Sequence, residues 1–287
     1  MRELPFHKGQ ALGNDYLVID VDALPWPLSP RRAAALCDRH RGAGADGILL
    51  VTLGDPVLVR IHNPDGSEAE KSGNGLRILA AYLHARGLVG EAPFRVRLPG
   101  ESVRMRVLGA RADGGVDVVV DMGTATFGPD AVAYRGAALN DQGLALPDRE
   151  PVAATLVSVG NPHCVVFATS WTREAFLETA PRIAHDPGFA RGVNVQFARV
   201  ADAAALDVWI WERGVGETAA SGSSATAAAA AAVRRGLLEP GALEVRMPGG
   251  AVRVDVGADG TLQLSGPASI TFAGRVAAPI VEAWGEL

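Results

Sequence analysis

Two serines, Ser72 and Ser221, stand 149 positions apart, and each is followed by glycine and then by small or apolar residues. The first copy reads Ser72-Gly73-Asn74-Gly75-Leu76-Arg77-Ile78-Leu79, the second Ser221-Gly222-Ser223-Ser224-Ala225-Thr226-Ala227-Ala228. A serine ahead of such a run is a helix N-cap, its hydroxyl taking up one N–H group that the first turn leaves without a partner. Such a helix start, with its aligned peptide dipoles, also favours an anion. Two starts facing one cleft would make two sites for a carboxylate. By residue type alone the serines are caps rather than reacting groups. Lys71 precedes Ser72 and is one of two lysines, with Lys8. It reads as an exposed side chain, although a desolvated amine there would serve as a base.

The 149-residue offset runs on without a gap. Arg86-Gly87-Leu88 matches Arg235-Gly236-Leu237, Val96-Arg97 matches Val245-Arg246, and Pro99-Gly100 matches Pro248-Gly249. A self-match of this length marks a duplicated unit of domain size. Gly87 and Gly236 fall where a left-handed residue stops each helix, so helices are predicted over 72–86 and 221–235. Strands follow over 94–98 and 243–247. The spacing places a hairpin in residues 4–20 with a Gly13-Asn14 turn. A helix is predicted from Ser29-Pro30 to about His40, and another from Trp171 to Ala180. Strands are expected near 48–53, 57–62, 103–108, 116–121, 156–159, 193–198, 206–211, 252–256 and 262–264. The halves are read as 1–122 and 123–270, with the tail from 271 to 287 returning to the first.

Composition narrows the classes. The chain has 287 residues, 48% hydrophobic and 21% charged, enough for two full cores. A net charge of −5 argues against a nucleic-acid partner. Cys37 and Cys164 lie in no metal-binding spacing and fit a reducing compartment. With no apolar signal core and no run long enough to span a membrane, a soluble cytoplasmic protein is expected.

Several motifs occur in a fixed order. They are Gly13-Asn14-Asp15, Asn63-Pro64-Asp65-Gly66-Ser67-Glu68, Gly73-Asn74-Gly75, Gly160-Asn161-Pro162-His163, Asn194-Val195-Gln196-Phe197 and Glu212-Arg213-Gly214-Val215-Gly216-Glu217-Thr218. In this set the chain resembles the diaminopimelate epimerase family over nearly its whole length. The resemblance implies an α+β fold of two pseudo-symmetric domains, each a curled, mostly antiparallel β-sheet or barrel around a central helix. It implies an isomerase, a cofactor-independent amino-acid epimerase or racemase without pyridoxal phosphate or metal. The default reaction is LL- to meso-diaminopimelate, in lysine and peptidoglycan-precursor metabolism.

In that family two cysteines flank the substrate α-carbon, one removing a proton as thiolate and the other returning one. By position these fall at Ser72 and Ser221. The resemblance assigns Gly73, Asn74, Gly222 and Ser223 to the α-carboxylate and Glu212 to the α-ammonium. Asn14, Asn63, Asn161, Asn194 and Arg213 would read the rest of the amino acid, including a distal carboxylate. His163 and Glu212 would tune the acid and base. Two alternatives keep the fold. One is a different isomerase or dehydratase chemistry in which His163, Glu212 or Lys71 carries protons; the other is a non-catalytic amino-acid-binding protein. A homodimer is one assembly such a chain allows.

Overall fold

Both predicted caps close helices. The structure is a computed structural model that describes residues 2–136, 138–139, 143–144, 153–168 and 170–287; the remainder of the Gly-, Pro- and Ala-rich stretch 123–150 lies outside the described residues. Five α-helices are present among the described residues: α1 (Pro30–Cys37), α2 (Gly73–Ala85), α3 (Arg173–Ala184), α4 (Gly222–Arg234) and α5 (Ala278–Gly285). Ser72 caps α2 and Ser221 caps α4, each in extended backbone. Both helices end alike. Gly87 and Gly236 take φ of 68° and 66°. Their N–H groups donate to His84 and Val233, and the following Leu88 and Leu237 donate to Leu83 and Ala232. This is the paired reverse bonding of a Schellman stop.

The chain divides into two compact units, Met1–Asp121 with Gly266–Leu287, and Met122–Ser265. The return to the first unit falls at Gly266, ahead of the expected residue 271. In the first unit, Leu4–Ala11 pairs antiparallel with Asn14–Asp20, which runs parallel to Gly47–Thr52. Gly47–Thr52 pairs antiparallel with Val57–His62, itself parallel to Phe94–Leu98. Phe94–Leu98 pairs with Glu101–Ala110, and that strand with Val116–Thr124. The far end of Thr261–Val276 returns alongside Leu4–Ala11. The curl encloses α2, which packs on the strands 4–11, 14–20 and 101–110.

In the second unit the plan recurs. Ala154–Ser158 pairs antiparallel with Pro162–Phe167, which lies parallel to Asn194–Asp202. That strand pairs antiparallel with Ala205–Glu212, itself parallel to Gly241–Met247. Gly250–Val256 and the first part of Thr261–Val276 complete the order. Each parallel pair in one unit thus has its counterpart in the other. Helix α4 is enclosed closely because residues Ala227–Ala232 carry no bulk beyond a methyl group. Outside the sheets, α1 and α5 cover Leu17, Ile19 and Ile48 in the first unit, and α3 covers Phe197 and Val195 in the second.

Three local expectations are corrected. The first hairpin turns on Leu12-Gly13, with φ of 54° and 85°. Register Ala11↔Asn14 leaves a two-residue loop, which favours a primed turn matching the strand twist, and here φ is positive at both positions. Helix α1 stops at Cys37, short of His40, because the Asp38 carboxylate accepts the N–H groups of His40 and Arg41 and turns the chain out. Helix α3 starts at a Thr172 cap and continues past Pro181 to Ala184. Ile183 and Ala184 are buried in the core, which outweighs the one backbone bond the proline forfeits.

An alanine Cβ at Gly87 or Gly236 would meet no atom within 4 Å, so substitution there isolates the backbone term. Gly87→Ala and Gly236→Ala are each expected to lower stability by about 1 kcal/mol. As the positions share no partners, the double variant should lose about the sum, measured by urea unfolding.

Candidate active site

In the first unit the start of α2 is held by a chain of polar side chains. Ser72 Oγ accepts from the Gly75 N–H at 3.0 Å and lies 3.2 Å from the Tyr16 hydroxyl. Asn74 donates through Nδ2 to Asn14 Oδ1 at 3.1 Å. Asn14 donates in turn to Asp46 at 3.0 Å. Asp46 and Asp15 share Arg39, and Asp15 also meets Lys8 at 2.8 Å. Burial pushes the Asp15 carboxyl up, but the Arg39 and Lys8 cations overcome it and hold the group at about 2. From the other side Arg77, fully buried, donates to Asn74 Oδ1 at 2.5 Å, to Pro267 O at 3.0 Å and to Gly73 O at 3.3 Å. Burial lowers this guanidinium to about 10, so it is still a cation at neutral pH.

The second unit repeats the junction with different groups. Ser221 Oγ lies 3.5 Å from both the Ser224 N–H and the Ser223 hydroxyl. Asn161 Nδ2 donates to Ser223 Oγ at 3.5 Å, as Asn14 and Asn74 meet in the first unit. His163 Nε2–H donates to Asn161 Oδ1 at 2.8 Å. Gln196 donates to Ser224 Oγ at 3.0 Å. Thr226 Oγ donates to Gly222 O at 2.8 Å, the tie that Arg77 makes to Gly73.

Asn194 joins two loops. Its Nδ2 donates to Pro162 O and its Oδ1 accepts the Arg213 N–H. Arg213 Nη1 reaches Arg191 O, and Glu212 ends the strand just before it. Ser72, Gly73, Asn74 and Asn14 are therefore gathered in one unit, and Ser221, Gly222, Ser223, Asn161 and His163 in the other. Asn63 stands apart from these bonds. Its carboxamide donates to Ser67 and closes the 63–67 turn.

Lys71 departs from the exposed reading. Its side chain is 4% exposed and its ammonium pairs with Glu101 at 3.1 Å. Sequence reasoning also passed over Tyr16, Asp46, Arg77 and Gln196. Arg77 was signalled by a charge inside an apolar helix, which is buried only when its donors are met. Gln196 follows Asn194 by two along a strand and so shares its face.

Burial pushes both thiols, Cys37 and Cys164, up to about 12. Neither supplies a thiolate near neutral pH. No cluster of His, Cys, Asp and Glu suited to a metal ion occurs among the described residues. Each unit thus presents a helix start with a capping hydroxyl and an amide side chain fixed beside it.

The profile described as diaminopimelate epimerase matches residues 6–128 and 155–271. The chain belongs to the diaminopimelate epimerase family. It is 38% identical over 264 residues to diaminopimelate epimerase 2 of a Nostoc species, covering 88% of each chain. To the diaminopimelate epimerase of Geobacillus kaustophilus it is 35% identical, covering 96% of this chain and 97% of that one. Among solved structures, a probable proline racemase from Agrobacterium radiobacter superposes with a TM-score of 0.69 at 16% identity, over 98% of both chains. A hydroxyproline epimerase from Agrobacterium vitis gives 0.68 at 15% identity, over 96% of this chain and 91% of that one. These likenesses show the α+β fold of two sheet-wrapped helices. Membership of this family makes the protein an isomerase of the epimerase and racemase kind. No helix among the described residues is long and apolar enough to cross a membrane.

The buried imidazole gives a pH test. Burial lowers His163 from 6.5 to about 3, with the Arg213 charge in the same direction and the Gln196 carboxamide opposing. As pH falls through 6.5 the unfolded imidazole takes up a proton, and the folded one does not until about 3. The unfolded state binds more protons across that window, so the stabilisation is full above 6.5 and is lost progressively towards pH 3. His7 and His62 are also lowered by burial and act with the same sign. Urea unfolding at pH 7 and pH 5 should show a clear loss, and His163→Gln should show a smaller one. Equal losses in both proteins would contradict the buried neutral imidazole.

Proposed function

We propose that the protein is a cofactor-independent amino-acid epimerase whose default substrate is diaminopimelate, and that its inversion step is slow. The observation that supports this reading is that Ser72 and Ser221 cap equivalent helices in the two units. Inversion at an α-carbon needs an acid and a base on opposite faces, and duplication supplies one candidate group per half. The helix starts at Gly73-Asn74 and Gly222-Ser223 would hold the α-carboxylate, Glu212 would meet the α-ammonium, and Asn14, Asn161 and Arg213 would orient the rest. Asn63 and Asn194 would contribute mainly through their loops.

The groups at 72 and 221 limit the rate. Thiols ionise near 8.5 and lower at a helix start, so a family cysteine there yields usable thiolate. A serine hydroxyl does not ionise in that range. His163 is held neutral by burial and bonded to Asn161, which fits a positioning role and not that of the proton carrier.

The test compares wild type, Ser72→Cys, Ser221→Cys and the double variant for epimerisation of LL-diaminopimelate and for α-hydrogen exchange in deuterated water. Each 1.4 kcal/mol of barrier is about tenfold in rate. Groups that act as a unit gain little singly, so the double variant should exceed wild type by several decades and each single variant by far less. Inversion by wild type at an ordinary enzyme rate would contradict this reading of the serines. Binding without exchange in all four proteins would favour an amino-acid-binding protein.

A further inference from the structure

A second feature of the first unit lies outside the helix starts. A cavity of about 570 Å³ opens over the strands 57–62 and 94–98 and the turn after the latter. Its wall is largely apolar and includes Leu58 and Val21, which are 41% and 38% exposed. Pairing places Leu58 beside Arg97 and Arg97 beside Ser102, so the three form one row across adjacent strands. Thr52 adds a second hydroxyl to the lining. The cavity's other charges are already matched. Arg60 is paired with Glu68 and Glu101 with the Lys71 ammonium. Among the described residues no carboxylate pairs with Arg97.

The duplication supplies an internal comparison. In the second unit the same row is Asp207, Arg246 and Ala251. There Arg246 is matched by Glu244 and Asp202, and Asp207 also holds Arg199. Leucine in the first unit thus stands where the second has the aspartate. The neighbouring pair differs in the same sense. Arg95 faces Arg104, whereas the matching pair is Glu244 and Arg253. Arg95, Arg104 and Arg106 likewise have no carboxylate partner among the described residues. Like charges directly opposed across strands are unfavourable. The first unit therefore keeps an uncompensated positive face beside an apolar hollow, in a chain of net charge −5.

We infer that this cavity binds a small amphipathic anion, with its carboxylate, sulfonate or phosphate on Arg97 and Ser102 and its apolar body over Leu58 and Val21. The anion supplies the counter-charge that Glu244 and Asp202 supply to Arg246 in the second unit. Charge-assisted bonds to a guanidinium give orientation, and the apolar wall gives affinity that a bare anion lacks. The inference does not depend on the reaction proposed above.

Titrating nitrogen-15-labelled full-length protein with naphthalene-1-sulfonate, followed by amide NMR, tests it. Saturable one-site shifts are expected around 52, 58–60 and 97–102, weakened by added salt. Arg97→Gln and Leu58→Asp should each weaken binding about tenfold or more, the second by installing the arrangement of the other unit. Arg97→Lys should keep part of it, and inorganic phosphate alone should bind far more weakly. Shifts centred elsewhere, the absence of saturable shifts, unchanged binding in either weakening variant, or phosphate binding as tightly as the aromatic probe would overturn the inference. The two weakening variants read one contact from opposite strands, so failure of one to fold leaves the other decisive.

Discussion

A helix enclosed on all sides cannot give its first N–H groups or its polar side chains to water, and each must find a partner that the fold brings to it. Both α2 and α4 bury 11 of their 13 residues, so the cost of leaving such a group unmet falls on the whole unit. The serine caps meet it in part, as do Asn14 and Asn161, each reaching the second residue of its helix. Strands 14–20 and 162–167 therefore have to lie where they do. A shift of one residue in either would turn the amide away from the helix and an apolar side chain towards it. The geometry that could bind an amino acid is the same geometry that lets the central helix be buried.

The two halves solve this problem with different chemistry. In the first, a buried cation, Arg77, ties the start of α2 to strand 261–276, and Asn14 is backed by a run of charges from Asp46 to Lys8. In the second, Thr226 replaces the guanidinium, Ser223 replaces Asn74, and the backing groups are the neutral His163 and Gln196. A fixed cation beneath one helix start adds to the positive end of its dipole; in the other, a threonine hydroxyl takes the place of that cation. The two starts are equivalent in backbone and unequal in field, an asymmetry that suits one half to hold charge more firmly than the other.

How much of this could be read beforehand depended on range. The caps at Ser72 and Ser221 and the stops at Gly87 and Gly236 are local, decided by hydroxyl reach and a left-handed φ, and they were legible. So was the division into two like units, because the offset of 149 residues carries both central helices and the strands that follow them, while the α+β class came with the family resemblance. Chain ends of elements were less so. Asp38 stopped α1 by bonding N–H groups beyond it, and packing of Ile183 carried α3 through Pro181. The Leu12-Gly13 turn was missed because leucine does not advertise a positive φ, which the register of its strands imposes. Lys71 was misjudged for a similar reason. Its burial depends on Glu101, thirty positions away across the sheet, and no spacing in the sequence announces that pair. Arg77 and Gln196 gave a signal, a polar residue on an apolar face, but their partners are set only by tertiary contacts.

The burial that holds these half-sites together also decides which groups in them could move a proton. Both thiols lie in the core and are pushed far above neutrality. His163 carries the reverse penalty and is a weak base, held to Asn161 by the one N–H of its neutral ring. Each serine spends a lone pair on its own helix. Ser72 has the Tyr16 hydroxyl beside it and follows a lysine drawn into the interior. Ser221 has only Ser223, another neutral hydroxyl. The two serines therefore sit in different surroundings, Ser72 beside a phenol and next in sequence to a buried ammonium already paired with Glu101, and Ser221 beside a second serine. In the reaction proposed, inversion uses both faces of the α-carbon in turn, so the poorer group would set its pace. In the proposed reaction, such a difference between the two surroundings would let the α-hydrogen exchange on one face sooner than the centre inverts.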